Sequence, residues 1–321
     1  MILIYTLSIV AMVVGESTTE EQVTRNYCQL PDPIFADGIQ AANFGTDGWN
    51  YANAENWEQL VVTCGGSYQS PIDIVTTGAS QQQVQPQIYY KNKTSDIGYE
   101  EVNTPYTKEY EGEYSVIEVL DASGLVVRYY AKQFHIHTPS EHTIDGKHFD
   151  LEIHFVHQVK AIQDEEQDCN KVKNSLTVFG LMFTESASAT DYEVFKPWFD
   201  QNMTGEVESF DLNDFFQKMT DSTYYNYNGS LTTLPCSQIV NWIVFYQALP
   251  ISTFQLNQFR STFADSTAFP LKQNNRPIQN LNGRKILKGT ALTAGVTEIP
   301  DVQSSQAYLL LLSIVMGAFI L

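Results

Sequence analysis

The sequence predicts a mainly β domain with short helices at its periphery, and three observations predict it. Between Val75 and Lys132, short β-branched and aromatic stretches alternate with Gly, Asn and Asp, and no long amphipathic run interrupts them. Leu176-Thr-Val-Phe-Gly-Leu-Met-Phe183 is a continuous apolar run that suits a central strand buried on both faces. Helical spacing is confined to brief segments that open on Asp or Ser.

Taken in order, residues 16–45 are polar with little periodicity and read as a leader. Aromatics thicken from Trp49 and Tyr51 to Trp57, and the tryptophans read as packing. Gln69 to Ile74 introduces a strand after a turn, and Tyr114–Val119 and Gly124–Tyr130 continue the sheet. Asp164–Asp168 is a solvated charged loop. Asp191–Asp200 and Asp211–Met219 read as peripheral helices, Gln238–Tyr246 as a strand, and Ser252–Phe263 as a helix capped by its serine.

The 321 residues carry 37 acidic and 18 basic side chains, a formal charge of −19. Such a surface repels phosphate backbones, so no nucleic-acid partner is expected. Ile2–Val14 is apolar and ends at Gly15, which reads as a secretory signal over 1–15 despite the missing basic start. Residues 291–306 form a polar spacer, with Ala294-Gly295-Val296 or Ser304-Ser305 as attachment points, before an apolar tail over 307–321. That is the pattern of a tail exchanged for a glycosylphosphatidylinositol anchor in the outer membrane leaflet, with a short transmembrane helix as the rival. An extracellular, cell-surface protein also suits the sequons at Asn92, Asn202 and Asn228 and the even set Cys28, Cys64, Cys169 and Cys236. Four cysteines allow three pairings.

All six histidines fall between His135 and His157. A metal site must bring several neutral nitrogens to one point, whereas packing would scatter them. His135 and His137 alternate along a strand and share a face with Gln133. After turns at Thr138-Pro139-Ser140 and Asp145-Gly146, Phe149–Val156 reads as a second strand with Asp150, Glu152, His154 and Val156 on one face. Paired antiparallel, the two strands set His154 beside His135 and His137, three nitrogen ligands with a fourth position open, the layout of a catalytic zinc. His142 reads as a buried hydrogen-bonder, and His148 and His157 as ordinary surface or core residues.

Six blocks, Gln69–Ile74, Gln133–His137, Ser140–Thr143, Leu151–His157, Gly229–Thr233 and Asn274–Pro277, together resemble the α-class carbonic anhydrases in the same order. The resemblance spans Trp49 to Arg284 and implies a domain over 46–290: a large twisted, predominantly antiparallel sheet with peripheral short helices and a conical site. It implies Zn2+ on His135, His137 and His154, with Gln133, Asn274 and Glu152 supporting those imidazoles in turn. It further implies hydration of CO2 to bicarbonate by zinc-bound hydroxide. Thr232 and Glu141 would orient that hydroxide, and Thr233 would help hold bicarbonate. Val156, Val178, Leu231 and Trp242 match the apolar wall against which CO2 sits, and Tyr51 falls near the site's network. A Cys64–Cys236 disulfide is implied, leaving Cys28 for Cys169.

Two departures stand out. Leu234-Pro235 replaces the usual Pro-Pro after the threonines, which bears on the turn below them. No histidine occurs around Glu111-Gly112-Glu113-Tyr114, where fast members carry a proton shuttle. Glu113 is left as a weak substitute, because an ordinary carboxylate titrates near pH 4.3, and slower, buffer-dependent turnover is expected. The competing class is a non-catalytic carbonic-anhydrase-like binding or adhesion protein, whose members lose metal ligands that this chain keeps.

Overall fold

The structure is a computed structural model, and it describes residues 49–81, 87–90, 100–103, 106–112, 114–120, 126–159, 174–199, 212–264, 269 and 271–290. The expected signal, leader, spacer and tail, Cys28, Cys169, Asn92, Asn202 and Glu113 lie outside the described residues. Among the described residues, no helix is long and apolar enough to cross a membrane.

Fourteen strands are described. The first six are short: β1 (Asp73–Ile74), β2 (Ser80–Gln81), β3 (Gln87–Tyr90), β4 (Glu100–Asn103), β5 (Lys108–Glu111) and β6 (Ser115–Leu120). The central ones are β7 (Val126–His137), β8 (Thr143–Ile144), β9 (Leu151–Val159) and β10 (Leu176–Glu185). β11 (Thr223–Gly229), β12 (Val240–Phe245), β13 (Leu249–Ile251) and β14 (Leu287–Thr290) follow. Twelve of them make one mixed sheet whose main path runs β2-β14-β11-β12-β10-β9-β7-β5-β4. β12 and β13 lie parallel to β10, and β2 to β14, while the other pairs in that sheet are antiparallel.

The alternating pattern sorts side chains onto two faces. One face carries Phe134, Ile153, Phe155, Phe179, Leu181, Phe183 and Phe245 against Phe195, Phe215, Leu256 and Phe259, an aromatic-rich core covered by the helices. The other gathers Val156, Val178, Met182, Trp242, Val244, Tyr225 and Tyr227 into a second cluster. β10 is buried over its first eight residues, as its unbroken apolar run requires.

The helices are shorter than the spacing suggested. Among the described residues of these segments, Asp191–Asp200 yields only a 3-10 turn over Glu193–Trp198, and within Asp211–Met219 only α1 (Asn213–Phe216) is α-helical. A single turn satisfies few of its own backbone groups, so packing of Phe195, Phe215 and Phe216 into the core holds these segments. α2 (Thr253–Thr262) forms as expected, with the Ser252 side chain accepting from the Gln255 amide. Trp49 and Trp57 are buried and pack edge-to-face.

Candidate metal centre

β7 and β9 pair antiparallel with His135 directly opposite His154 and His137 opposite Glu152. Opposed residues in a sheet share a face, so this register delivers three imidazoles to one point. Their ring centroids lie 5.0, 5.1 and 4.5 Å apart, and one nitrogen from each falls within 4.8 Å of the others.

The hydrogen bonds say which nitrogen each ring offers. His135 Nδ1 is 2.8 Å from Gln133 Oε1, His137 Nδ1 is 2.8 Å from the Asn274 carbonyl, and His154 Nε2 is 2.9 Å from Glu152 Oε1. Carbonyl and carboxylate oxygens accept, and Gln133 is oriented to do the same, so each of these nitrogens carries the proton and the other ring nitrogen keeps a lone pair. Those lone pairs, on His135 Nε2, His137 Nε2 and His154 Nδ1, face one another. His137 Nε2 is fully buried without a hydrogen-bond partner, and His154 Nδ1 stands 3.3 Å from His135 Nε2. Two lone pairs at that distance repel unless a cation lies between them. A tetrahedral ion with bonds of about 2.0–2.1 Å to nitrogen spaces its ligands about 3.3 Å apart, so the residues fit zinc.

Burial lowers the pKa of all three imidazoles, well below the usual histidine value for His135 and His137, which keeps them neutral and able to ligate. Burial works against the charge on Glu152, yet His142 and His154 beside it hold its carboxyl well below the usual range. Its Oε2 accepts from the amides of Glu141 and His142, and its Oε1 from both His142 and His154. Gly180, opposite His154 on β10, leaves the space: a Cβ there would lie 2.7 Å from Glu152 Oε1.

Glu141 is fully buried, and burial raises its pKa well above the ordinary value. Its Oε1 accepts from the Arg276 amide at 2.8 Å, and the Thr232 side chain bonds the same carboxylate, both opposing that rise. Glu141 Oε2 approaches His137 Nε2 to 3.4 Å and His154 Nδ1 to 3.9 Å but is not one of the three converging ligands. Val156, Val178 and Trp242 share one apolar cluster with Leu231 packed on it, and the His154 ring lies 4.7 Å from Trp242. Thr233 is half-buried, and its carbonyl accepts from the Cys236 amide in the turn that holds Leu234-Pro235, a cis peptide. The Cys64–Cys236 disulfide is present. Asn228 is half-buried in β11, with its Oδ1 accepting from Asn174. His142 is the expected buried hydrogen-bonder, and His157 is a buried core residue held by Ser115 and the Phe155 carbonyl.

Asn274 is the expected partner of His137, and Arg276 and Glu109 are contributors that the sequence reading did not name. Asn274 supports His137 through its backbone carbonyl, while its side chain accepts from Thr138 N and donates to the Ile136 carbonyl. Arg276, buried, ties Gln69 Oε1 and the Ser70 and Cys64 carbonyls together beneath the site. Glu109 stands opposite His135 and Glu111 opposite Gln133, so β5 adds two acids to the site's wall. Burial, with Glu111 nearby, pushes the Glu109 carboxyl up to about 7. Its strand period was the signal available for Glu109; Arg276 lay within the Asn274–Pro277 block, which by itself gave it no role.

Three converging imidazoles on a twisted sheet, walled on one side by apolar residues, form a cluster that could hold a single metal ion. The chain belongs to the eukaryotic-type carbonic anhydrase family, whose model matches residues 52–290. A carbonic anhydrase of Klebsiella pneumoniae is 30% identical over 257 residues, 75% of this chain and 90% of that protein. The α-carbonic anhydrase of Thermovibrio ammonificans, solved with the inhibitor sulfanilamide, is 33% identical with a TM-score of 0.57, covering 74% of this chain and 98% of that one. Dioscorin, solved with ascorbate, shares the fold at 24% identity and a TM-score of 0.59, covering 79% of this chain and 100% of that one. The activity of this chain is therefore that of a carbonic anhydrase.

Proposed function

We propose that the chain hydrates CO2 reversibly to bicarbonate and a proton at a single Zn2+ held by His135, His137 and His154, outside the cell. The observation that carries this reading is the polarity of the imidazoles: each spends its N–H on a neighbouring oxygen and turns its lone pair to the common point. Zinc, when bound there, supplies a Lewis acid that makes hydroxide available near neutral pH. Gln133, Asn274 and Glu152 orient the rings. Thr232, bonded to Glu141, has its proton committed to that carboxylate and its oxygen free to accept, so it aims the nucleophile's lone pair. The Val156, Val178, Leu231 and Trp242 surface gives a small apolar substrate a dry wall, and Thr233 would help hold bicarbonate.

Proton export limits the rate in this reading. Glu113 replaces the shuttle histidine as a weak carrier, aided by Glu109 and Glu111, so turnover depends on buffer. A binding or adhesion role alone is disfavoured by the complete ligand set. Export of the chain is supported by the Cys64–Cys236 bridge, which suits an oxidising compartment, and by the apolar segments over 2–14 and 307–321, read as a signal and a lipid-anchor signal. Stopped-flow CO2 hydration, with and without chelator, on wild type and His154→Ala tests the mechanism. Loss of activity in both arms is expected, and activity surviving both overturns it. Release of the protein from cells by a phosphatidylinositol-specific phospholipase tests the anchor.

A further inference from the structure

The connection between β7 and β9 borders a cleft of about 570 Å3, which shares no lining residue with the three-histidine cluster. That volume lies in the range of small-molecule sites. Its walls come from three places: Pro139, Phe149 and Asp150 of the connection, Arg260 in the last turn of α2, and Lys272 with Gln273.

The charged groups of the cleft divide into committed and open ones. Asp150, the one carboxylate among the lining residues, accepts from the Glu185 amide through Oδ2 at 2.8 Å and from Arg260 through Oδ1 at 3.0 Å. Arg260 also stands 3.6 Å from Glu185 Oε2, so its charge is already answered. The Lys272 ammonium and the Gln273 amide have no side-chain partner among the described residues. A solvated lysine is ordinary on a surface, but the backbone of Lys272 is not. Its φ is 53°, in the left-handed region where a side chain is disfavoured and glycine is the usual occupant. The amide of Lys272 donates to the carbonyl of buried Phe269 at 2.8 Å, and that turn holds the strained residue at the cleft. Such strain persists where the surroundings fix it, and it concentrates at ligand sites.

We propose that this cleft binds a small monocarboxylate with an apolar body, its oxygens held by Lys272 and Gln273 and its body against Pro139 and half-buried Phe149. With Asp150 covered by Arg260 and an amide, the open charge in the cleft is positive, and an ammonium beside an amide N–H matches the two oxygens of a carboxylate. A phosphate dianion is the poorer fit, because it would meet a single open cation in a chain of formal charge −19. The site stands apart from the zinc reading, so failure of either leaves the other in place.

The probe is benzoate, titrated into the full chain and followed through backbone amide shifts in 1H–15N NMR. Saturable shifts at Phe149, Lys272 and Gln273 are expected, distinct from any at the three histidines. Benzamide, of the same shape without the charge, should bind at least about tenfold more weakly, the loss that goes with one charge-assisted hydrogen bond. Lys272→Gly should weaken benzoate to the same degree while leaving CO2 hydration unchanged. It should also melt no lower than wild type, since glycine takes this φ without strain. Shifts confined to the metal centre, equal binding of benzamide by the wild type, or undiminished benzoate binding by Lys272→Gly would each overturn the proposal.

Discussion

Gly180→Ala should weaken metal binding although residue 180 touches no ligand. On backbone grounds alone, replacing a strand glycine by alanine favours folding by about 0.5–1 kcal/mol. The structure reverses that expectation, because the added Cβ would sit 2.7 Å from Glu152 Oε1. An ordinary contact starts near 3.4 Å, so the carboxylate must retreat by about 0.7 Å, the difference of those two distances. Its bonds to His142 and His154, 2.7 and 2.9 Å, then stretch to the edge of hydrogen bonding. Losing one charge-assisted bond costs about 1.5–3 kcal/mol, which is about 10–100-fold in zinc retention. The assay is zinc transfer to a chromophoric chelator at constant pH, beside urea melts of the metal-free protein. A variant that retains zinc like wild type and folds more stably would refute the reasoning.

Three further outcomes follow from the same contacts. Cys64 and Cys236 are 172 residues apart, so removing their bridge by Cys236→Ser should cost about 5 kcal/mol in the chain-entropy model, read as a fall in the urea midpoint; an unmoved midpoint would discredit this. Burial lowers the His157 pKa to about 3 against an ordinary 6.5. The unfolded chain therefore binds that proton first, and stability is lost as pH falls from about 6.5 toward 3, by up to about 1.4 kcal/mol per pH unit. His157→Gln should flatten the slope of stability against pH between pH 6 and 4, and an unchanged slope would contradict the assignment. Arg276→Met strips a donor from Gln69 Oε1 and from the Ser70 and Cys64 carbonyls, and should destabilise by at least about 3 kcal/mol in the same melts; a loss under 1 kcal/mol would show those groups finding other partners.

The chain's own pattern determined the strands and which histidines could converge, because both depend on short spacings. His135 and His137 two apart, and Glu152 and His154 two apart, share faces by the strand period, and the apolar run of β10 announces burial. What the pattern left open is whatever depends on long-range closure. The register that sets His154 against His135 rather than a neighbour is fixed by the whole sheet. The Asn274 carbonyl on His137 has no sequence signature, since every residue has a carbonyl. The short lengths of the helical segments were decided by how much of each could bury its phenylalanines. Gly180 and Arg276 gain their meaning only when distant segments meet, because a buried polar group is stable only where partners from elsewhere in the chain complete it.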